Sequence, residues 1–152
     1  MEITNTDRTI LRLLQADAKT RLEDIAQEAG ASVATIQRRI RLLKSEKVIQ
    51  REVAQIDPEA VGFGMTFLIL VELERERLDQ LDAFRRKIQS EPQIQQCYYI
   101  TGEADFALVA LAKDMEEYQE LIQRLFFDNA NIKRFRTSVV MDRTKTNMSV
   151  PV

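Results

Sequence analysis

Residues 32–47 read SVATIQRRIRLLKSEK, and the fold follows from them. At helical spacing, Val33, Ile36, Ile40 and Leu43 fall on one apolar stripe. The opposite face carries Ala34, Arg38 and Arg41, with Thr35 and Gln37 on its flanks. Ser32 stands where an N-cap belongs, its hydroxyl able to accept from the free amides of the first turn. Upstream lies a shorter amphipathic stretch, Leu22 to Ala29, closed by Gly30. Thr20 and Glu23 have capping-box spacing at its start. Ala26, Gly30 and Ile36 suit a helix-turn-helix: a small residue at the helix crossing, a glycine in the turn, and an apolar residue locking the second helix. A second helix with short polar side chains early and arginines behind them can lie in a DNA major groove.

Composition is compatible with that reading. The chain has 152 residues and 45% hydrophobic content, enough for two small cores or one medium one. Net charge is −2, so no basic field covers the molecule, but the charge is uneven. Residues 1–58 hold ten Lys/Arg against nine Asp/Glu; the other 94 hold twelve against fifteen. Arg38, Arg39, Arg41, Lys44 and Lys47 cluster in the opening stretch against one acid, Glu46. A local basic patch on a mildly acidic protein fits a DNA reader. Cys97 is the sole cysteine, so no intrachain disulfide forms, in keeping with a reducing cytoplasm; it is expected as a buried small apolar residue. With no histidine, His-ligated metals and His general bases are excluded. Met1 to Thr9 is polar, unlike a secretory signal, and the longest apolar run, Phe67 to Val71, is too short to span a bilayer.

In chain order, a first helix is expected from about Asp7 to Ala18, then the two helices above, then an extended piece from Gln50 to Ile56 broken by Asp57-Pro58. The expected domains are 3–60 and 61–152. In the second, Met65 to Leu73 reads as a strand with Phe67, Ile69 and Val71 on one face and Leu68 and Leu70 on the other. Leu78, Leu81, Phe84 and Ile88 mark a helix. Ile94 to Thr101, Phe106 to Ala112 and Ile132 to Met141 read as strands, and Asp114 with Glu117 starts a helix turning Met115, Tyr118, Ile122 and Leu125 inward. The order is βαββαβ, with strands one and three central because only they are apolar on both faces. Two helices cover one side of such a sheet, so a second copy is expected on the other. The fold class is α+β: a winged helix-turn-helix followed by a ferredoxin-like βαββαβ domain.

TRLEDIAQEAGASVATIQRRIRLLKSEKVI (20–49) followed by a βαββαβ domain with TGEADFAL (101–108) resembles the Lrp/AsnC, or feast/famine, regulators. The resemblance runs from about Ile3 to Val152. It implies a cytoplasmic transcription factor without cofactor, metal or catalytic residue, binding double-stranded operator DNA and an amino acid effector, and forming dimers that assemble into octamers. Ser32, Ala34, Thr35, Gln37, Arg38, Arg39, Arg41 and Lys44 are the expected DNA-binding set. Arg39, nearer the apolar stripe, either meets a phosphate or pairs with Glu23 or Asp24. The effector set implied is Tyr99, Thr101, Gly102, Glu103, Asp105, Thr137, Ser138 and Val139. A carboxylate such as Asp105 can hold an ammonium and loop amides a carboxylate; Asp105→Ala is expected to remove that charge and little else. Two departures stand out. The family usually has glycine at Lys47, so Lys47 takes a left-handed conformation or the helix ends differently. The loop often has an aromatic residue at Ala104. The competing function is an amino-acid-sensing module that docks on a protein partner without DNA.

Overall fold

The computed structural model describes residues 1–152, which divide into two compact units: 1–55 with 145–152, and 56–144. The helical unit holds α1 (Asn5–Ala16), α2 (Leu22–Ala29) and α3 (Val33–Ser45). Its core is Ile10, Ile25, Ala26, Ile36 and Leu43, ringed by half-buried Leu11, Leu13, Leu14, Leu22 and Ile40. Val33, expected on the buried stripe, is 39% exposed, because the first turn of α3 projects beyond the core.

Helix starts differ from the expectation in an instructive way. Helix α1 begins at Asn5, not Asp7, under a capping box of Thr4 and Asp7. The Thr20–Glu23 box does not form: α2 starts one residue later, with Arg21 at the N-cap, and the Thr20 hydroxyl donates to Asp17 O instead (2.7 Å). Ser32 caps α3 as expected, accepting from Thr35 N (3.2 Å). Gly30 closes α2 at φ 61°, the left-handed conformation that glycine adopts without a Cβ penalty.

At the end of α3, Lys47 is the one non-glycine residue with positive φ (57°). Val48 N and Ile49 N both bond Leu43 O (2.9 and 3.1 Å), so the closing turn is fixed whatever residue occupies 47. A side chain there costs roughly 1 kcal/mol in Cβ crowding. Lys47→Gly is therefore expected to stabilise the helical unit by about 1 kcal/mol, read as a rise of several degrees in thermal midpoint.

The segment after α3 forms no strand: 51–57 has no regular secondary structure, so the expected wing carries no β-ladder. The tail also departs from the expected division. Residues 145–152 belong with the helical unit, where the Gln15 side chain holds both backbone groups of Val150: Gln15 Nε2 donates to Val150 O (2.8 Å) and Val150 N to Gln15 Oε1 (3.0 Å).

The second unit carries β1 (Met65–Leu73), α4 (Leu78–Gln89), β2 (Ile94–Tyr99), β3 (Phe106–Ala112), α5 (Met115–Ile122), a π-helical turn (Gln123–Phe127) and β4 (Ile132–Val139). The antiparallel sheet runs β2-β3-β1-β4, with the two doubly apolar strands central. Phe67, Ile69, Val71, Phe106, Leu108 and Ala110 are buried beneath Leu81, Phe84 and Ile88 of α4 and Tyr118, Leu121 and Ile122 of α5. Leu78 and Met115, expected inward, are 77% and 45% exposed, since each is the first residue of its helix and stands beyond the sheet.

On the other sheet face, Leu68 is half exposed, Tyr98 is 49% exposed, and Ala107, Val109 and Leu111 are half-buried with no layer above them. Cys97 is exposed rather than buried, on the edge strand β2. No helix is long and apolar enough to cross a membrane.

Candidate nucleic-acid interface and effector loop

Helix α3 buries Ile36 and Leu43 and leaves Ser32, Ala34, Gln37, Arg38, Arg41 and Lys44 exposed. Thr35 is half-buried and its hydroxyl hydrogen-bonds the Ser32 hydroxyl (2.9 Å), part of the cap. The N-terminal turn thus presents short polar groups and free amides, with Arg38 and Arg41 extending from the same surface. This combination can approach phosphate oxygens and base edges. Lys44 reaches Glu52 (2.8 Å), an exposed pair of little energetic weight.

Arg39 does something else. Its Nε donates to Asp7 Oδ1 (2.8 Å), and a second guanidinium N–H donates to Asp7 Oδ2. The partner is Asp7 on α1, not Glu23 or Asp24, and with its guanidinium so occupied Arg39 does not join the outward set. Asp7 is fully buried, and its Oδ2 also accepts from Thr4 N (2.8 Å) and Thr4 Oγ1 (2.7 Å). Arg39 holds the Asp7 carboxyl down at about 2, overcoming the opposing effect of burial, with Thr4 adding to the shift. The T-x-x-D spacing of Thr4 and Asp7 marks the cap in the sequence but not its partner on α3.

In the sheet unit the β2–β3 loop packs at the C-terminal end of β1. Ile100 N donates to Asp105 O (2.8 Å) and Asp105 N to Val71 O (2.9 Å). Asp105 Oδ2 accepts from Leu73 N (2.6 Å), extending the pairing of the central strand with a side chain. Asp105 is therefore built into the fold, contrary to the expectation that its loss removes a charge and little else. Gly102 (φ 115°) lies in the left-handed region. Thr101, Gly102 and Glu103 are exposed, whereas Ala104 is only 6% exposed.

The remaining effector candidates split by strand parity. Thr137 opposes Ile69 and turns under the helices, its hydroxyl bonded to the Tyr118 hydroxyl. Val139 shares that parity. Tyr99 also lies on the helix side, its ring 5.2 Å from Phe106 and its hydroxyl donating to Glu76 (3.1 Å). Ser138 is on the open face. So is Arg136, two residues earlier, which reaches back to Glu103 (3.2 Å). Arg136 was missed, although period two from Ser138 marks it as a neighbour on that face. Glu103, Arg136 and Ser138 thus lie on the open side of the sheet, Tyr99 and Thr137 lie on the other, and Thr101 and Gly102 are exposed in the loop between.

An AsnC-type helix-turn-helix domain model matches residues 3–44, and a Lrp/AsnC ligand binding domain model matches residues 66–150. The chain belongs to the Lrp/AsnC family. The HTH-type transcriptional regulator y4tD of Sinorhizobium fredii is 41% identical to it over 152 residues, spanning 100% of this chain and 90% of that protein. An AsnC family transcriptional regulator from Agrobacterium tumefaciens superposes with a TM-score of 0.91 at 26% identity, covering 97% of this chain and 96% of that one. The feast or famine regulatory protein from M. tuberculosis, solved in complex with L-methionine, superposes with a TM-score of 0.87 at 27% identity over 98% and 99% of the two chains. In this Lrp/AsnC protein the matched helix-turn-helix is the α1–α3 unit, and the matched ligand binding domain contains the sheet and its β2–β3 loop.

Proposed function

We propose that this Lrp/AsnC protein is a transcriptional regulator that reads operator DNA through α3 and responds to an amino acid or similar small effector bound at the β2–β3 loop. The observation carrying the reading is the outward set Gln37, Arg38 and Arg41 on a helix capped by Ser32 and locked by buried Ile36. Thr35, beside the cap, and Ala34 complete the surface offered to base edges; Arg41 and Lys44 suit phosphates. Acting on DNA, the protein works in the cytoplasm. A second copy covers the open sheet face, since Leu68, Val109 and Leu111 otherwise leave a contiguous apolar face in water. Dimerisation pairs two α3 helices for a two-fold operator, and octamers are the expected higher assembly. At the loop, Glu103 suits an ammonium, and exposed amides with Arg136 suit a carboxylate.

A mobility shift tests the DNA reading, using a duplex from upstream of the protein's own gene at several salt concentrations. Specific shifts that weaken steeply with salt are expected. Arg38→Ala should cost about 1–3 kcal/mol of affinity if it meets a base, or lower the salt slope by roughly one if it meets a phosphate. No shift at any salt would favour the protein-docking alternative, and unchanged affinity and slope in Arg38→Ala would remove that residue from the interface.

A further inference from the structure

Three arginines lie within four residues on α3, and one of them faces away from the other two. Arg38 and Arg41 are exposed, while Arg39 crosses to α1 and closes a two-pronged contact on Asp7. The acceptor is itself immobilised. Asp7 is fully buried, its Oδ2 takes both the amide and the hydroxyl of Thr4, and its own amide donates to the Thr4 hydroxyl (3.2 Å). The carboxylate is thus a fixed part of the α1 cap, and the planar guanidinium can meet it in one orientation only.

The apolar contacts of α3 do a different job. Burial of Ile36 and Leu43 against Ile10 and Ile25 fixes which face of the helix points inward, but the hydrophobic effect is non-directional and sets the fine rotation about the helix axis less sharply than a directed contact does. A two-pronged ion pair is directional. Buried ion pairs add little net stability, and their best-attested use is to select one arrangement among several of similar energy.

We propose that Asp7 is a positioning residue for DNA binding: through Arg39 it fixes the rotation of α3 and so aims Gln37, Arg38 and Arg41 at the duplex. This rests on the reading of α3 as the DNA-contacting helix. It opposes the simpler idea that Arg39 is one more phosphate contact, because the two give Asp7→Asn effects of opposite sign. Freed from Asp7, a phosphate-binding Arg39 strengthens binding and steepens the salt dependence. A positioning pair, once loosened, weakens binding.

The experiment uses the full chain and a duplex selected from randomised DNA by the parent protein. Asp7→Asn and the double variant Asp7→Asn/Arg39→Met are compared with the parent for helicity, thermal midpoint and affinity. The double variant leaves no unpaired buried charge, so it keeps a folded reference if the single variant is unstable. Both variants should bind about tenfold more weakly or worse, the scale of a lost base contact. Arg38→Ala should also cost less affinity in the Asp7→Asn background than in the parent, because Arg38 is already misdirected there; a purely stabilising pair would leave that cost unchanged. Parent-like or tighter binding by the folded variants, or a full additive Arg38→Ala penalty in both backgrounds, overturns the proposal. If the parent enriches no duplex, the DNA reading itself fails and takes the proposal with it.

Discussion

Replacing Ile36 by alanine should melt the helical unit and abolish operator binding while the sheet unit stays folded and self-associated. Ile36 is fully buried among Ile10, Ile25, Ala26 and Leu43, which with it form the whole fully enclosed core of that unit. Truncating such a residue removes about 2–5 kcal/mol, through lost apolar transfer and the cavity left behind. A unit of about sixty residues has roughly 3–9 kcal/mol to lose, so most or all of its stability goes. The sheet unit has its own core, including Phe67, Phe106, Leu121 and Leu125, which Ile36 does not join. Spectroscopy separates the two. There is no tryptophan, and all three tyrosines (Tyr98, Tyr99 and Tyr118) lie in the sheet unit. Tyrosine fluorescence follows that unit alone, while far-ultraviolet circular dichroism follows both. In urea, the variant should lose part of its helical signal early and keep the parent's tyrosine transition, and sedimentation should still show a dimer or a multiple of it. Equal displacement of both transitions would mean that the two cores unfold as one, and the expectation would be wrong.

The second large effect is at Asp105. Asp105→Ala should destabilise the sheet unit by about 1–3 kcal/mol, because Leu73 N at the end of central strand β1 loses its acceptor in a half-buried position. An alanine variant that fails to respond to an effector therefore says nothing about ligand contact by itself. Asp105→Asn separates the roles: its side-chain oxygen can still accept from Leu73 N, while the negative charge is gone. If Asp105 holds the effector's ammonium, the asparagine variant should fold near the parent's midpoint yet lose most of the thermal stabilisation given by the best of the twenty amino acids, which in the parent follows from mass action. Glu103→Gln is the companion, because Glu103 is the exposed carboxylate of the loop. A full effector response in Asp105→Asn together with its loss in Glu103→Gln would assign Asp105 to the fold and the ligand charge to Glu103.

Much of this was legible without coordinates, wherever a local rule suffices. The stripe of Ile36, Ile40 and Leu43, the Ser32 cap and the Gly30 turn each depend on residues within a few positions of one another, and helical spacing alone brings these together. That β1 and β3 are central and β2 and β4 are edges agrees with the two runs that are apolar on both faces, because a strand covered by neighbours tolerates that pattern; which edge strand lies beside which central one came from the pairing itself. The left-handed Lys47 was one of two options that the family resemblance implied, since related chains usually carry glycine at that helix end.

The tertiary structure decided what long-range partners decide. Arg39 sits in the same basic run as Arg38 and Arg41, and only the crossing of α1 over α3 gives it a carboxylate 32 positions away. Asp105 looked like a free turn residue until Leu73 N, equally distant in sequence, was seen to need its oxygen. Thr137 and Ser138 are adjacent in sequence and opposite in space, and pairing register put the first under Tyr118 and the second on the open face. Periodicity states which residues share a face. Which charged group finds which buried partner depends on how the elements pack, because burying an unpaired charge or amide costs more than any local preference returns.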